Sequence, residues 1–88
     1  MKIVLNKCYG GFGLSRKAEA MLKKKGGWLD QTDPNLIDVV EELGAEASDN
    51  YANLKVVETI AEPTDWEVDE YDGWETLTYV VDGKIYHA

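Results

Sequence analysis

Apolar positions recur with helical spacing in two stretches of the first half of the chain. In the first stretch, one helical face collects Leu14, Ala18, Met21, Leu22 and the stem of Lys25. Ser15 is suited to cap this helix at its start, and Gly26-Gly27 is suited to end it. The spacing therefore predicts a helix between Ser15 and Gly26.

The second helical stretch is TDPNLIDVVEELG. Asp33 is a suitable N-cap, and Pro34 fits the first helical position, where its missing N–H costs nothing. Its apolar residues form one stripe, which consists of Leu36, Val39, Val40 and Leu43. We predict a helix between Asp33 and Gly44, followed by a polar loop over residues 45–53.

The remaining apolar segments carry strand patterns. KIVLN (2–6) is a short apolar run bounded by turn residues, which is typical of a buried strand. LKVVETI (54–60) is predicted as a second strand that ends before Pro63. From Trp66 onward, apolar and polar positions alternate through two Asp-Gly pairs, which predict two tight hairpins.

Two-residue turns at Asp72-Gly73 and Asp82-Gly83 place the same side chains on one face of this meander. That predicted core face holds Trp66, Val68, Leu77, Tyr79, Val81 and Tyr86, and the opposite face holds Trp74, Val80, Ile85 and His87. Agreement between two independent turns supports the register. The register also sets Glu70 opposite Glu75, a like-charge pair that is unfavourable in a sheet unless the first turn is longer or the pair is solvated.

The element order β-α-α-β-β-β-β predicts an α+β fold in a single domain, residues 1–88. We expect two layers: a mixed, mainly antiparallel sheet covered on one face by two helices. If the first two strands are neighbours, the helical crossover between them predicts that they are parallel.

Charge is distributed unevenly along the chain. Residues 1–27 hold seven basic side chains and one acid, whereas residues 28–88 hold two basic side chains and sixteen acids, for a formal net charge of −8. Segment 62–75 has seven carboxylates and no basic residue. Such a field repels nucleic acid and attracts basic partners, so we expect no direct nucleic-acid binding. Plain solubility is the alternative interpretation.

The stretch YGGFGLSRK places three glycines between a predicted strand and a helix start. This arrangement can present backbone amides to an anion, and Arg16 and Lys17 stand where the helix dipole favours acids. The pattern lacks the third glycine of a dinucleotide fingerprint and the lysine-serine pair of a P-loop. It predicts either a structural turn or a nucleotide or phosphate site made of Tyr9, Gly10, Gly11, Phe12, Gly13, Ser15, Arg16 and Lys17.

No catalytic constellation is visible in the sequence. Cys8 is the only cysteine and His87, near the chain end, is the only histidine, so neither a disulfide nor a clear nucleophile–base pair is predicted. No apolar stretch approaches the roughly 18 residues of a membrane span. We expect a cytoplasmic protein that is not an enzyme and holds no cofactor or metal.

Four pieces in this order, KIVLNKCYGGFGLS, DPNLIDVVEELG, ANLKVVE and WEVDEYDGWE, resemble a small bacteriophage-encoded family that has no established activity. The resemblance covers roughly residues 1–75. It implies a phage accessory protein that acts in the bacterial cytoplasm. The chain departs from the family pattern at its end, where KIYHA replaces a more basic tail.

Two functions follow as hypotheses. In the first, the protein is a stoichiometric binder of a host protein, of the kind used against host defences such as CRISPR effectors, and it docks on a basic surface. The contact residues would be Trp66, Glu67, Asp69, Glu70, Tyr71, Asp72, Trp74 and Glu75. In the second, the protein binds a nucleotide or phosphate through residues 9–17.

Overall fold

The computed structural model describes all 88 residues and contains two helices and five strands. Their bounds are β1 Lys2–Asn6, α1 Arg16–Lys25, α2 Pro34–Leu43, β2 Leu54–Glu58, β3 Asp65–Tyr71, β4 Trp74–Val81 and β5 Lys84–His87. The predicted α+β class and element order are confirmed. No helix is both long and apolar enough to cross a membrane.

Both helices begin at the predicted caps. The Ser15 hydroxyl accepts from the Ala18 amide at 3.1 Å, and the Asp33 carboxylate accepts from the Asn35 amide at 2.7 Å. Gly26 ends α1 in the left-handed conformation with φ of 71°. The predicted loop 45–53 differs in one respect, because Gly44–Ala47 form a 3-10 turn and Ser48 then bridges to Leu14.

The strands form two antiparallel sheets instead of one mixed sheet: a two-stranded ribbon, β1–β2, and a three-stranded meander, β3–β4–β5. The prediction of parallel β1 and β2 is wrong. The chain returns from the helices to the end at which β1 finished, where the Lys7 amide donates to the Asn53 carbonyl at 2.8 Å. The strand β2 therefore begins opposite Asn6 and runs back along β1, with Val57 opposite Ile3.

The ribbon lies between the helices and the meander, so the molecule has three layers where two were expected. Alternation along β1 explains this arrangement, because successive side chains point to opposite faces. Val4 packs in the core cluster formed with the helices, whereas Ile3 and Leu5 pack with Leu77 and Tyr79 of β4. Both faces of this short strand are buried, whereas the single-sheet prediction gave the sheet cover on one face only.

The meander has the predicted register, with Val68 opposite Leu77 and Tyr79 opposite Tyr86. Both Asp-Gly turns have two residues with positive φ, which is the type I′ geometry of tight hairpins. Leu77, Tyr79 and Val81 are buried on the inner face, and Val68 and Tyr86 are half-buried there. Trp66 was predicted in the core but is 42% exposed, because β3 is an edge strand.

The strand β2 ends two residues earlier than predicted. The backbone leaves β2 after Glu58, and the buried Thr59 hydroxyl lies 2.9 Å from the amino group of Met1 and 2.6 Å from the Ala61 carbonyl. The hydroxyl accepts from the former and donates to the latter. Thr59 and Ile60 therefore belong to the connection that leads to the meander.

Candidate functional site

The glycine-rich loop is packed against other parts of the chain on two sides. A Cβ on Gly10 would collide with the carbonyl of Tyr51, and a Cβ on Gly13 would collide with the carboxylate of Asp49. From the other side, the turn at Gly73 reaches the backbone nitrogens of Gly10 and Gly11. The absence of side chains at these positions allows the loop, the hairpin tip and segment 49–51 to meet.

The electrostatic surroundings of the loop give little support to an anion site. The Lys17 ammonium lies 3.4 Å from the Glu46 carboxylate, and Asp49 lies against Gly13. The Ser15 hydroxyl caps α1 and also donates to the Glu46 carbonyl at 2.6 Å. Of the predicted ligand residues, Arg16 is the one exposed cation without an ion-pair partner.

A cavity of about 460 Å³ lies beside this loop, and sequence reasoning did not find it. Its wall is largely apolar, with Phe12, Leu14, Leu22 and Leu29, and its charged lining comprises Glu19, Lys23 and Asp49. No local pattern joins these residues, because they come from the loop, from α1 and from two connecting segments. The lining suits an apolar group better than a phosphate.

Asn6 joins β1 to the hairpin tip and to β2. Its side-chain amide donates to the carbonyls of Cys8 and Gly73 at 3.0 and 2.6 Å, and its carbonyl accepts from the Asn53 amide at 2.8 Å. Asn6 is fully buried. Each polar atom of this side chain is therefore satisfied, and the loop after β1 is held against the meander.

Two of the predicted contact residues have hydrogen-bonding partners inside the protein. Glu75 accepts from the backbone N–H of Asn6 at 2.7 Å and from the Gln31 side chain at 3.1 Å. Glu70 accepts from the Gly73 amide at 2.6 Å and so caps the hairpin turn. These donors explain how two carboxylates can stand opposite each other across a two-residue turn.

Lys7 fixes the other side of the hairpin. Its ammonium donates to the backbone carbonyls of Glu75 and Ala88 at 2.7 and 3.2 Å. Partial burial lowers the pKa of Lys7 from its usual value, and the nearby Glu75 carboxylate opposes that shift. The Lys7 ammonium is therefore engaged by acceptors within the fold.

Four of the remaining predicted contact residues lie on the outer face of the meander, which no layer covers. Glu67, Asp69 and Tyr71 alternate along β3, and Trp74 stands opposite Tyr71 on β4. Asp72 is exposed in the turn, and Trp66 belongs to the inner face, opposite Tyr79, where it reaches solvent at the sheet edge. Other residues share this outer face, and the predicted contact list lacked them: Asp65, Thr76, Thr78, Val80, Ile85 and His87.

The carboxylates of this face form no ion pair with a basic group of the protein. The four ion pairs of the protein join Lys2 to Glu41, Lys17 to Glu46, Lys25 to Glu42, and the amino terminus to Glu62. Three of them lie around the helices. Asp65, Glu67 and Asp69 take part in none, so the negative charge of the meander is not neutralised by the basic first third of the chain.

The two predicted sites meet at one point. Tyr9 of the glycine-rich loop lies against Trp74 of β4, with ring centroids 5.1 Å apart and planes inclined by 41°. Neither the loop pattern nor the strand pattern predicted this pair, because it depends on the contact between the loop and Gly73. Tyr9 thereby extends the outer face of the meander.

Cys8 and His87 have separate settings. Cys8 is a half-buried free cysteine next to the glycine-rich loop, and the His87 ring lies 3.2 Å from the Thr78 hydroxyl on the outer face. The histidine, cysteine and acidic side chains form no group of three or more that could hold a metal ion.

In comparisons with protein-family models, curated proteins and solved structures, no match to this chain was found.

Proposed function

We propose that the protein is a stoichiometric binder that docks on a basic surface of a bacterial protein through the outer face of its meander. The proposal rests mainly on one observation: unpaired carboxylates and exposed aromatic and apolar side chains share one uncovered sheet face. Acidic residues speed and orient the encounter with a basic partner, and aromatic residues supply contact area. The resemblance to phage-encoded proteins supports a role as a phage accessory protein directed at a host defence, including CRISPR effectors.

The shape of this face suits a protein surface more than a small ligand. It is an open sheet whose exposed apolar side chains are separated by polar ones, and Ile85 at its far edge is 67% exposed. A second shallow cavity, of about 220 Å³, lies between Trp66, Glu67 and Ile85. This cavity is smaller than the roughly 300–1,000 Å³ of small-molecule sites.

The test compares two charge-reversed variants in affinity capture from bacterial lysate, with quantitative mass spectrometry. Asp65→Lys/Glu67→Lys alters the outer face, and Glu19→Lys/Asp38→Lys makes the same change of net charge on the helices. We expect a partner retained by the wild type and the helix variant but reduced at least about tenfold by the face variant. Its complex with the purified protein should have a fixed stoichiometry. If no captured protein distinguishes the two variants, the proposal is overturned.

The nucleotide or phosphate hypothesis remains the alternative, and the loop's neighbouring carboxylates argue against it. It is tested separately by thermal denaturation with a panel of nucleotides and inorganic phosphate. We expect no change of Tm. A rise in Tm that Arg16→Glu abolishes would favour the alternative.

A further inference from the structure

An aromatic cavity lies on the outer face of the meander, at the tip of the β3–β4 hairpin. Its volume is about 140 Å³, and its lining residues are Tyr9, Asp69, Glu70, Tyr71, Trp74 and Thr76. This volume is well below the roughly 300–1,000 Å³ of small-molecule sites, so it suits the end of one side chain.

Three aromatic rings contribute to the wall. Tyr9 and Trp74 are the tilted pair described above, and Tyr71 stands across the hairpin from Trp74. Tyr9 and Tyr71 remain 67% and 73% exposed, so their rings are open to a partner. The faces of such rings attract cations that come within about 6 Å, and arginine is found there more often than lysine.

The charged groups of the wall are both carboxylates. The Asp69 carboxylate has no hydrogen-bonding partner and no ion pair within the protein. Glu70 uses one oxygen to accept from the Gly73 amide, which fixes its position and leaves the other oxygen without a partner. Two carboxylates beside aromatic rings, with no basic side chain in the lining, are complementary to a cation.

The cavity is organised before any partner arrives. The side-chain amide of Asn6 donates to the Gly73 carbonyl at 2.6 Å, and the contact of Gly73 with Gly10 and Gly11 fixes the loop that carries Tyr9. Holding aromatic groups in the bound arrangement reduces the entropy lost on association. This is a different use of the glycine-rich loop from the phosphate site expected from its sequence.

We propose that this cavity binds the guanidinium group of an arginine on the partner protein. The planar guanidinium stacks on the aromatic rings while its N–H groups donate to Asp69 and to the free oxygen of Glu70. Arginine fits better than lysine because it can stack and can also donate to a carboxylate through two parallel N–H groups. The assignment rests on the proposed function and names the group that the basic partner contributes.

The test is an NMR titration of the ¹⁵N-labelled protein with a capped Gly-Arg-Gly peptide, at fixed ionic strength. Matched probes are Gly-Lys-Gly, Gly-citrulline-Gly and tetramethylammonium chloride. We expect a saturable shift of the Trp74 indole N–H with arginine, an affinity at least about fivefold lower with lysine, and no saturation with citrulline. If the lysine peptide, the citrulline peptide or tetramethylammonium binds as tightly as the arginine peptide, the assignment to arginine is overturned.

Variants locate the binding. Asp69→Asn, an exposed and conservative change, should lower the arginine affinity at least about fivefold. Trp74→Ala should abolish arginine binding; because this variant lacks the indole N–H, binding is measured from the backbone amide signals of Tyr9 and Gly73. Glu67→Gln and Trp66→Ala, at the other end of the hairpin, should leave the affinity within about twofold. If Asp69→Asn binds arginine as the wild type does, the assignment is wrong.

The outcomes separate this inference from the function on which it rests. Loss of a captured partner from Asp65→Lys/Glu67→Lys, together with no arginine binding, would support the docking face and refute the cavity. Saturable arginine binding without any face-dependent partner would support the cavity and refute the proposed function.

Discussion

At the residue scale, two glycines in identical turns have different surroundings. Gly73 and Gly83 both follow an aspartate in a type I′ turn, with φ of 91° and 77°. A Cβ on Gly83 would have no neighbour within 4 Å, whereas a Cβ on Gly73 would meet Gly11 and come within 2.8 Å of the Gly10 nitrogen. Only the first turn is fitted against another part of the chain.

This pair gives a matched prediction. Gly83→Ala should lower the free energy of unfolding by about 1–2 kcal/mol, the cost of a left-handed conformation for an L-residue. Gly73→Ala should cost that amount plus at least about 1 kcal/mol more, because the loop must move. Urea denaturation of the two variants measures the difference. Equal losses would mean that the loop and the turn do not touch.

Asn6 is a second residue whose effect extends beyond its own strand. Asn6→Leu should lower the free energy of unfolding by about 2–4 kcal/mol, because the Cys8 and Gly73 carbonyls and the Asn53 amide lose their partner. Asn53→Ala is the control, since residue 53 uses only its backbone in this contact. Its cost should be within about 0.5 kcal/mol. Chemical denaturation of both variants is the measurement, and a mild Asn6→Leu would contradict the bridging role.

At the element scale, the sequence predicted what local signals specify. Ser15 and Asp33 mark helix starts by side-chain chemistry, and the Asp-Gly pairs impose turns whose register the alternating residues then confirm. Pairing of β1 with β2 was beyond these signals, because it joins residues about fifty positions apart. The single-sheet prediction also missed the meaning of IVL in β1, whose three consecutive buried side chains require cover on both faces.

The middle position of β1 has a direct consequence for stability. Val4 and Leu5 are adjacent, face opposite layers and are fully buried. Leu5→Ala should cost about 2–5 kcal/mol and Val4→Ala about 2 kcal/mol. Lys55→Ala, at an exposed position of β2, should change stability by less than about 0.5 kcal/mol. Denaturation curves in which either core variant matches Lys55→Ala would exclude a ribbon covered on both sides.

At the scale of the whole molecule, three of the four ion pairs lie around the helices, whereas none involves the outer face of the meander. The Glu41 carboxylate accepts from the Lys2 ammonium and raises the pKa of Lys2, with smaller contributions from Glu58 and Asp38, and Lys25 lies 4.0 Å from Glu42. The outer face of β3 has no such neighbours. The net charge of −8 therefore comes mainly from the meander.

Anion exchange tests this asymmetry without a partner. Asp65→Lys/Glu67→Lys and Glu19→Lys/Asp38→Lys both move the formal net charge by four, from −8 to −4. The face variant should elute at lower salt than the helix variant, because it removes carboxylates that no cation offsets. Elution of the two variants at the same salt concentration would show that the charge is spread evenly.

The position of the ribbon in the middle of the molecule also sets the order of assembly during synthesis. Once residues 1–58 have emerged, the helices and the ribbon can join, but Ile3, Leu5 and Val57 stay uncovered until the meander follows. The nascent chain therefore exposes an apolar sheet surface that can associate with other chains. The exposure lasts for the time needed to translate about thirty residues, roughly two to six seconds at bacterial rates. The two local hairpins at the C-terminal end form within microseconds, so that interval is governed by translation and not by folding.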